Sequence, residues 1–285
     1  MAYNNYDFFT GTLKMLNNFN RPNSYKPNFC YDHCHPKLTE LCKKYTLKQI
    51  AGDGGDLSQA LRLLDWLCNN TYYKGESNPD VPYNALDLLN HSFGKGEEGG
   101  MNCNAMATTL SECCLAIGLK SRTVYIMPFN PYEMDNHVVT MVFVHDLNKW
   151  IMLDPSYNAY MTDENGIILN PLEARQLLAE QSIVKLNKEF NENGDRSGGE
   201  EYIEYMAKDL FCFVCAEKST VNGNFGNDSK MLTLAPIGYD TNKYDVANVE
   251  YRIRKTGERE NLLKWLAKVK ETEPIYISLD DFISS

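Results

Sequence analysis

The sequence has no apolar stretch approaching the roughly 18 residues that a membrane-spanning helix needs, so no such span is expected. It has no long basic run, and acidic residues outnumber basic ones by 38 to 28, for a formal charge of −10. That balance argues against general affinity for nucleic acid or an anionic membrane surface. The opening MAYNNYDFFTGTLKML lacks a basic segment followed by a clean apolar run, so no secretory signal is read and a cytoplasmic location is expected. There is no internal repeat and no long low-complexity tract. Nine cysteines is an odd number, and a chain this long can bury a core without disulfide staples. Free thiols in a reducing compartment are the plain expectation.

What remains is an ordinary globular composition: 285 residues, 43% hydrophobic, 23% charged and 12% aromatic. Residues 1–45 are rich in Asn, Tyr and Pro with weak periodicity, and read as an irregular N-terminal segment packed on the body. The first firm element is DLSQALRLLDWLCNN, where Asp56 is expected to cap a helix whose N3 residue is Gln59. Its apolar stripe is Leu57, Leu61, Leu64 and Cys68, with Ala60 and Leu67. A short helix around NALDLLNHS, a flexible FGKGEEGG and a helix beginning at Cys103 follow. That last helix has Asn102 as N-cap, Met106, Leu110, Cys113, Cys114 and Ile117 on its buried face, and Gly118 as C-cap.

SRTVYIMPF reads as a strand, and NHVVTMVFVHDLNKWIMLDPS as a hairpin around a polar tip. Residues 171–190 read as a helix, NENGDRSGGEE as a polar loop, and the tail as strands (LFCFVCA, MLTLAPIGY, PIYISL) with a helix near RENLLKWLAKVK. Helices ahead of a run of strands point to an α+β fold.

The chemistry gathers at Cys103. A thiol is a useful nucleophile as thiolate, and a helix N-terminus offers partial positive charge and unpaired N–H groups. Placed there, Cys103 gains a stabilised thiolate and a backbone N–H free for an oxyanion, whereas Cys113 and Cys114 in mid-helix gain neither. The hairpin supplies partners: His137 opens its first strand and Asp154 closes its second. With the tip centred on His145 and Asp146, these two face one another directly. A slip of one residue would send them to opposite faces, so the pairing depends on register. Asp154 would then hold the imidazole, and His137 would take the thiol proton and pass it to a leaving amine.

GGMNCNAMATTLSECCLAIGLKSRTVYI, then NHVVTMVF, then KWIMLDPS resembles the core of the transglutaminase-like superfamily, relatives of the papain-type cysteine proteases. The resemblance covers roughly residues 50–160 and includes the upstream helix with Trp66 and the following TYYKG. It implies an α+β papain-like or transglutaminase-like core with a nucleophile helix packed on an antiparallel sheet, and a triad of Cys103, His137 and Asp154. It also implies a second oxyanion donor upstream of the cysteine, for which Trp66, Tyr72 and Tyr73 are weak candidates. On this reading residues 46–175 are the catalytic core, and 176–285 an α/β extension packed on it as one globular unit.

The implied activity is thiol-dependent acyl transfer from a peptide or protein amide through a thioester. Hydrolysis is favoured over transfer to an amine, and no cofactor and no metal are expected. Two other classes compete. One is a non-catalytic peptide- or protein-binding module on the same fold, for which an intact triad has no use. The other is a zinc-stabilised N-terminal module built on Cys30, His33, Cys34 and His35, with Cys42 nearby; it has no matching downstream pair, so packing and surface roles are favoured. His145 is read as a solvated tip residue, His91 as a surface residue near the glycine loop, and the acidic pair Glu97 and Glu98 as solvated.

Overall fold

The computed structural model describes residues 5–21, 25–187, 198–223 and 229–284. In chain order the first half runs α1 (Tyr6–Met15), β1 (Cys30–Tyr31), α2 (Pro36–Lys44), α3 (Leu47–Ala51), α4 (Asp56–Asn70) and α5 (Ala85–Lys95). Next come α6 (Cys103–Ile117), β2 (Ser121–Met127), β3 (His137–Val144), β4 (Lys149–Leu153), β5 (Met161–Thr162), α7 (Pro171–Ala179) and β6 (Lys185–Leu186). The last part holds α8 (Gly198–Asp209), β7 (Cys212–Ala216), β8 (Lys218–Ser219), β9 (Met231–Leu234), α9 (Thr241–Thr256), α10 (Glu260–Glu271), β10 (Ile275–Tyr276) and α11 (Leu279–Ile283).

A six-stranded sheet in the order β10-β9-β7-β2-β3-β4 forms the centre. Its pairings are antiparallel except β9 with β10 at one edge, which is parallel. β3 reads HVVTMVFV without polar alternation because every one of its residues is buried, with helices on both faces. One face is covered by α6: Thr140 Oγ1 donates to the Ala107 carbonyl across that contact at 3.0 Å. Val142, Val144, Ile151 and Leu153 pack there with α2 to α5. The other face turns Val139, Met141, Phe143, Trp150 and Met152 towards α1, α7 and α8. The fold is thus α+β, with the helix that starts at Cys103 lying on the sheet.

Several local expectations need correction. Residues 1–45 are not irregular throughout, since α1 and α2 lie within them. Arg175 on α7 ties down the end of α1, with Nη1 donating to Asn17 at 2.6 Å and Nη2 to the Leu16 carbonyl at 2.7 Å. Asp56 is the first residue of α4, not its cap; Gly55 holds the cap position. The Asp56 carboxylate instead accepts from the His145 N–H at 3.0 Å and from its ring, fastening α4 to the hairpin tip. FGKGEEGG finishes α5 and continues as a 3-10 turn over Gly96–Gly99. The helix expected over 171–190 ends at Ala179, and its last three positions lie outside the described residues. Helices α8 and α9 had not been anticipated; α8 begins inside the segment read as a polar loop.

The C-terminal part is joined to the sheet's interior. β7 pairs along β2 from Val124 with Cys215 to Met127 with Cys212, so strands from both sides of residue 175 share one hydrogen-bonded surface.

Candidate active site

The glycine pair before Cys103 is a steric requirement. A Cβ on Gly99 would sit 2.8 Å from the His91 carbonyl oxygen and the Ser92 Cα, and one on Gly100 2.8 Å from the Lys74 Cβ. With side chains removed, the chain passes close to α5 and to the segment after α4. Met101 then pairs with that segment, its N–H donating to the Tyr72 carbonyl and its carbonyl accepting from the Lys74 N–H, both at 2.8 Å. Asn102 caps α6 as expected, its side-chain oxygen accepting the Ala105 N–H at 2.9 Å. The cap is itself held, by the Tyr83 hydroxyl at 2.9 Å and by donation to the Ser77 carbonyl at 2.7 Å. Cys103 is thereby fixed as the first residue of a well-capped helix, half-buried, with its N–H among those that helix geometry leaves unpaired.

His137 and Asp154 meet, through a different register from the one anticipated. The hairpin turn is the four residues His145–Asn148, closed by Val144 opposite Lys149, so Thr140 faces Leu153. Asp154 therefore lies two residues short of the position opposite His137. A shift of two preserves the face, and diagonal neighbours on one face are still within reach of longer side chains. The His137 Nε2 to Asp154 Oδ2 distance is 2.7 Å, with both side chains buried. Asp154 stands just past β4, where its N–H and carbonyl form a bridge with Ala159 at 2.8 and 3.0 Å.

The carboxylate is anchored on both oxygens. Oδ1 accepts the Ser156 N–H at 2.9 Å, while Oδ2 also accepts the Tyr202 hydroxyl at 2.9 Å. With Asp154 on Nε2, the other ring nitrogen, Nδ1, is buried and has no hydrogen-bond partner among the described residues. Burial opposes protonation of the ring, but the Asp154 carboxylate and then the nearby Cys103 sulfur outweigh it. His137 is held well above the ordinary imidazole range. The structure thus brings Cys103, His137 and Asp154 to one place, with the imidazolium as the favoured form.

Tyrosines wall this place. The Tyr157 and Tyr205 rings lie 5.9 and 5.2 Å from the His137 ring, and Tyr73 lies 5.5 Å from Tyr157. Burial, and then the charges of Tyr157, Cys103 and Asp154, push the Tyr73 hydroxyl far above its usual range, so it stays protonated as a donor. Of the three aromatic residues considered for an oxyanion donor, only Tyr73 is tied to the site in this way. Trp66 packs between Tyr45 and Phe93, at 5.9 and 6.4 Å, in the layer behind α6. Tyr202 and Tyr205 escaped the sequence reading because α8 lies far along the chain from the triad positions and has no motif.

The N-terminal Cys/His cluster does not assemble. His33 Nδ1 lies 3.1 Å from the Leu115 carbonyl, and His35 Nδ1 accepts the Lys37 N–H as the cap of α2. Among the described residues no group of three or more His, Cys, Asp or Glu is placed to hold a metal ion. Nor is any described helix long and apolar enough to cross a membrane.

Comparison with known proteins gives a family match and a match among solved structures. The model of the Transglutaminase-like superfamily matches residues 43–155, from the end of α2 to just past Asp154. Residues 43–155 are thus similar to the core of that superfamily. Among solved structures it is similar to one described as "a Putative Cysteine Protease from Cytophaga hutchinsonii", with 18% identity and a TM-score of 0.34. That alignment covers 56% of this chain and 51% of the other, about half the length of each. No curated protein matches.

Proposed function

We propose that this protein is a thiol-dependent hydrolase that cleaves an amide bond in a peptide or protein through a Cys103 thioester. The superfamily match supports a thiol-dependent enzyme in general. The observation that carries the finer reading is the buried His137–Asp154 pair at 2.7 Å, its second ring nitrogen unpartnered, beside a cysteine that opens a helix.

The thiolate of Cys103 attacks the amide carbonyl carbon, forming a C–S bond and a tetrahedral oxyanion. The Cys103 N–H meets that oxyanion, and the Tyr73 hydroxyl, whose ring packs on Tyr157 beside His137, is the second donor. The imidazolium of His137 gives its proton to the departing nitrogen, and the C–N bond breaks. The neutral ring then takes a proton from water as the water attacks the thioester; the acid leaves, and thiolate and imidazolium are restored. Asp154, fixed by Ser156 and Tyr202, holds the ring in orientation throughout. Water is favoured over an amine as acceptor because Cys103 is only half-buried, so solvent reaches it.

Peptide cleavage by the wild type and its loss in Cys103→Ala would support this reading. Brief treatment with iodoacetamide is expected to label Cys103 well ahead of the other eight cysteines. Uniform slow labelling, with cleavage unchanged in Cys103→Ala, would defeat it.

A further inference from the structure

Asp209 occupies the least favourable surroundings in the vicinity of His137. It is the last residue of α8, at the negative pole of that helix. It is fully buried, and neither carboxylate oxygen has a hydrogen-bond partner among the described residues. The cation beside it, Lys208 Nζ, stands 3.6 Å away and is shared with the exposed Asp135 at 3.5 Å. Buried carboxyls are nearly always hydrogen-bonded, so one held only by a long ion pair calls for a cause.

The neighbours supply one. The Lys208 ammonium lies over the Tyr205 ring at 4.7 Å, and that ring meets the His137 ring edge-on at 5.2 Å. Tyr205 and Asp209, four residues apart, share one face of α8, so the carboxyl lies one turn from the ring that meets His137. We propose that Asp209 is a second positioning carboxylate for the candidate catalytic imidazole, acting by charge across the Tyr205 edge with Lys208 as its counterion. The proposal rests on the thiol-hydrolase reading of the site.

The two carboxylates divide the work. Asp154 binds Nε2 and fixes the ring's direction, whereas Asp209 makes no bond and contributes only its field. The groups facing His137 are Asp154 from the end of β4, Cys103 from α6, Tyr202, Tyr205 and Asp209 from α8, and Tyr157. Those facing Asp209 are Lys208, Asp135, His137, Tyr205 and, from α9, Tyr244. Burial, against the pull of Lys208 and His137, pushes the Asp209 carboxyl up to about 8. It therefore gains negative charge as the solution turns alkaline, where an imidazolium most needs support. Asp209 thus extends the alkaline range over which His137 keeps the proton it must donate.

The test is the proton NMR titration of the His137 ring in the full chain, assigned with His137→Gln. Both Asp209→Asn and Asp209→Ala are expected to move its midpoint to lower pH by roughly half to one unit. Asp209→Glu should restore most of the shift. A midpoint unmoved in the folded Asn and Ala variants overturns the proposal. That failure is distinct from failure of the hydrolase reading, which shows as cleavage surviving in Cys103→Ala, whatever the ring titration does.

Discussion

The start and the interior of α6 carry the same functional group in opposite surroundings. Cys103 begins the helix, half-buried, beside His137, while Cys113 and Cys114 lie further along it in full burial. Burial, joined by the neighbouring Cys114 and Glu112, drives the Cys113 thiol well above its usual range. Burial pushes Cys114 up to about 12, against a hydrogen bond with Ser121. Place within one helix therefore sets the thiols apart: the first turn has unpaired N–H groups and His137 beside it, and the middle offers only packing.

The sharpest way to break this contrast is to exchange the two losses. Cys103→Ala is expected to lower peptide cleavage by roughly 1000-fold or more while leaving the melting curve close to wild type. Cys114→Ala should retain cleavage and lose about 1 kcal/mol of stability in urea unfolding, the scale of a small core cavity. If both variants lost cleavage without unfolding, position along α6 would not be what separates the thiols.

Next in size is the support of the ring. Asp154→Asn is expected to reduce kcat by roughly 100-fold or more, because the group that holds Nε2–H is gone. Tyr202→Phe removes one of two donors to the same Asp154 oxygen. It should cost about tenfold in kcat with little change in KM. A KM effect alone would mean that Tyr202 touches substrate and does not position the carboxylate.

The smallest effect is on pH-dependent stability. The folded-state value for His137 is raised, so its contribution is full below the ordinary imidazole range, about 6.5, and is lost as pH rises towards the raised value. Unfolding free energy should therefore fall from pH 6 to 9, and less steeply in His137→Gln. Glu112, buried on α6 and pushed up to about 8 against N–H donors from Ala85 and Asn222, adds a slope of the same sign in both proteins. Equal slopes in the two proteins would show that His137 is not held protonated by the fold.

Much of the nucleophile end was legible from residues close together in the chain. Asn102, Cys103 and Gly118 each have a local cause: cap, first turn and left-handed C-cap at φ 101°. The glycine pair reads only as flexible, because the close approach it serves, to α5 and Lys74, exists only in the packing. The hairpin was legible in kind but not in register, because HDLN offers no two-residue turn signature to fix its length. The face was right since the error was even. The α8 side was not legible at all. Tyr202, Tyr205 and Asp209 have spacing that suits any half-buried helix, and only the packing of α8 against the sheet gives them meaning. Residues 1–45 were underestimated for a related reason: α1 is docked through Arg175, a partner about 160 positions downstream.

The ladder between β2 and β7 also bears on where this molecule may be cut. Nothing after residue 155 belongs to the superfamily match, yet that later stretch supplies the neighbour on β2's outer side. A fragment ending there would expose the unpaired amides and carbonyls of Val124 to Met127 as a naked border, the kind of surface on which chains add to one another. Trimming to the matched residues would thus invite aggregation and, in the same stroke, discard the hydroxyl that steadies Asp154.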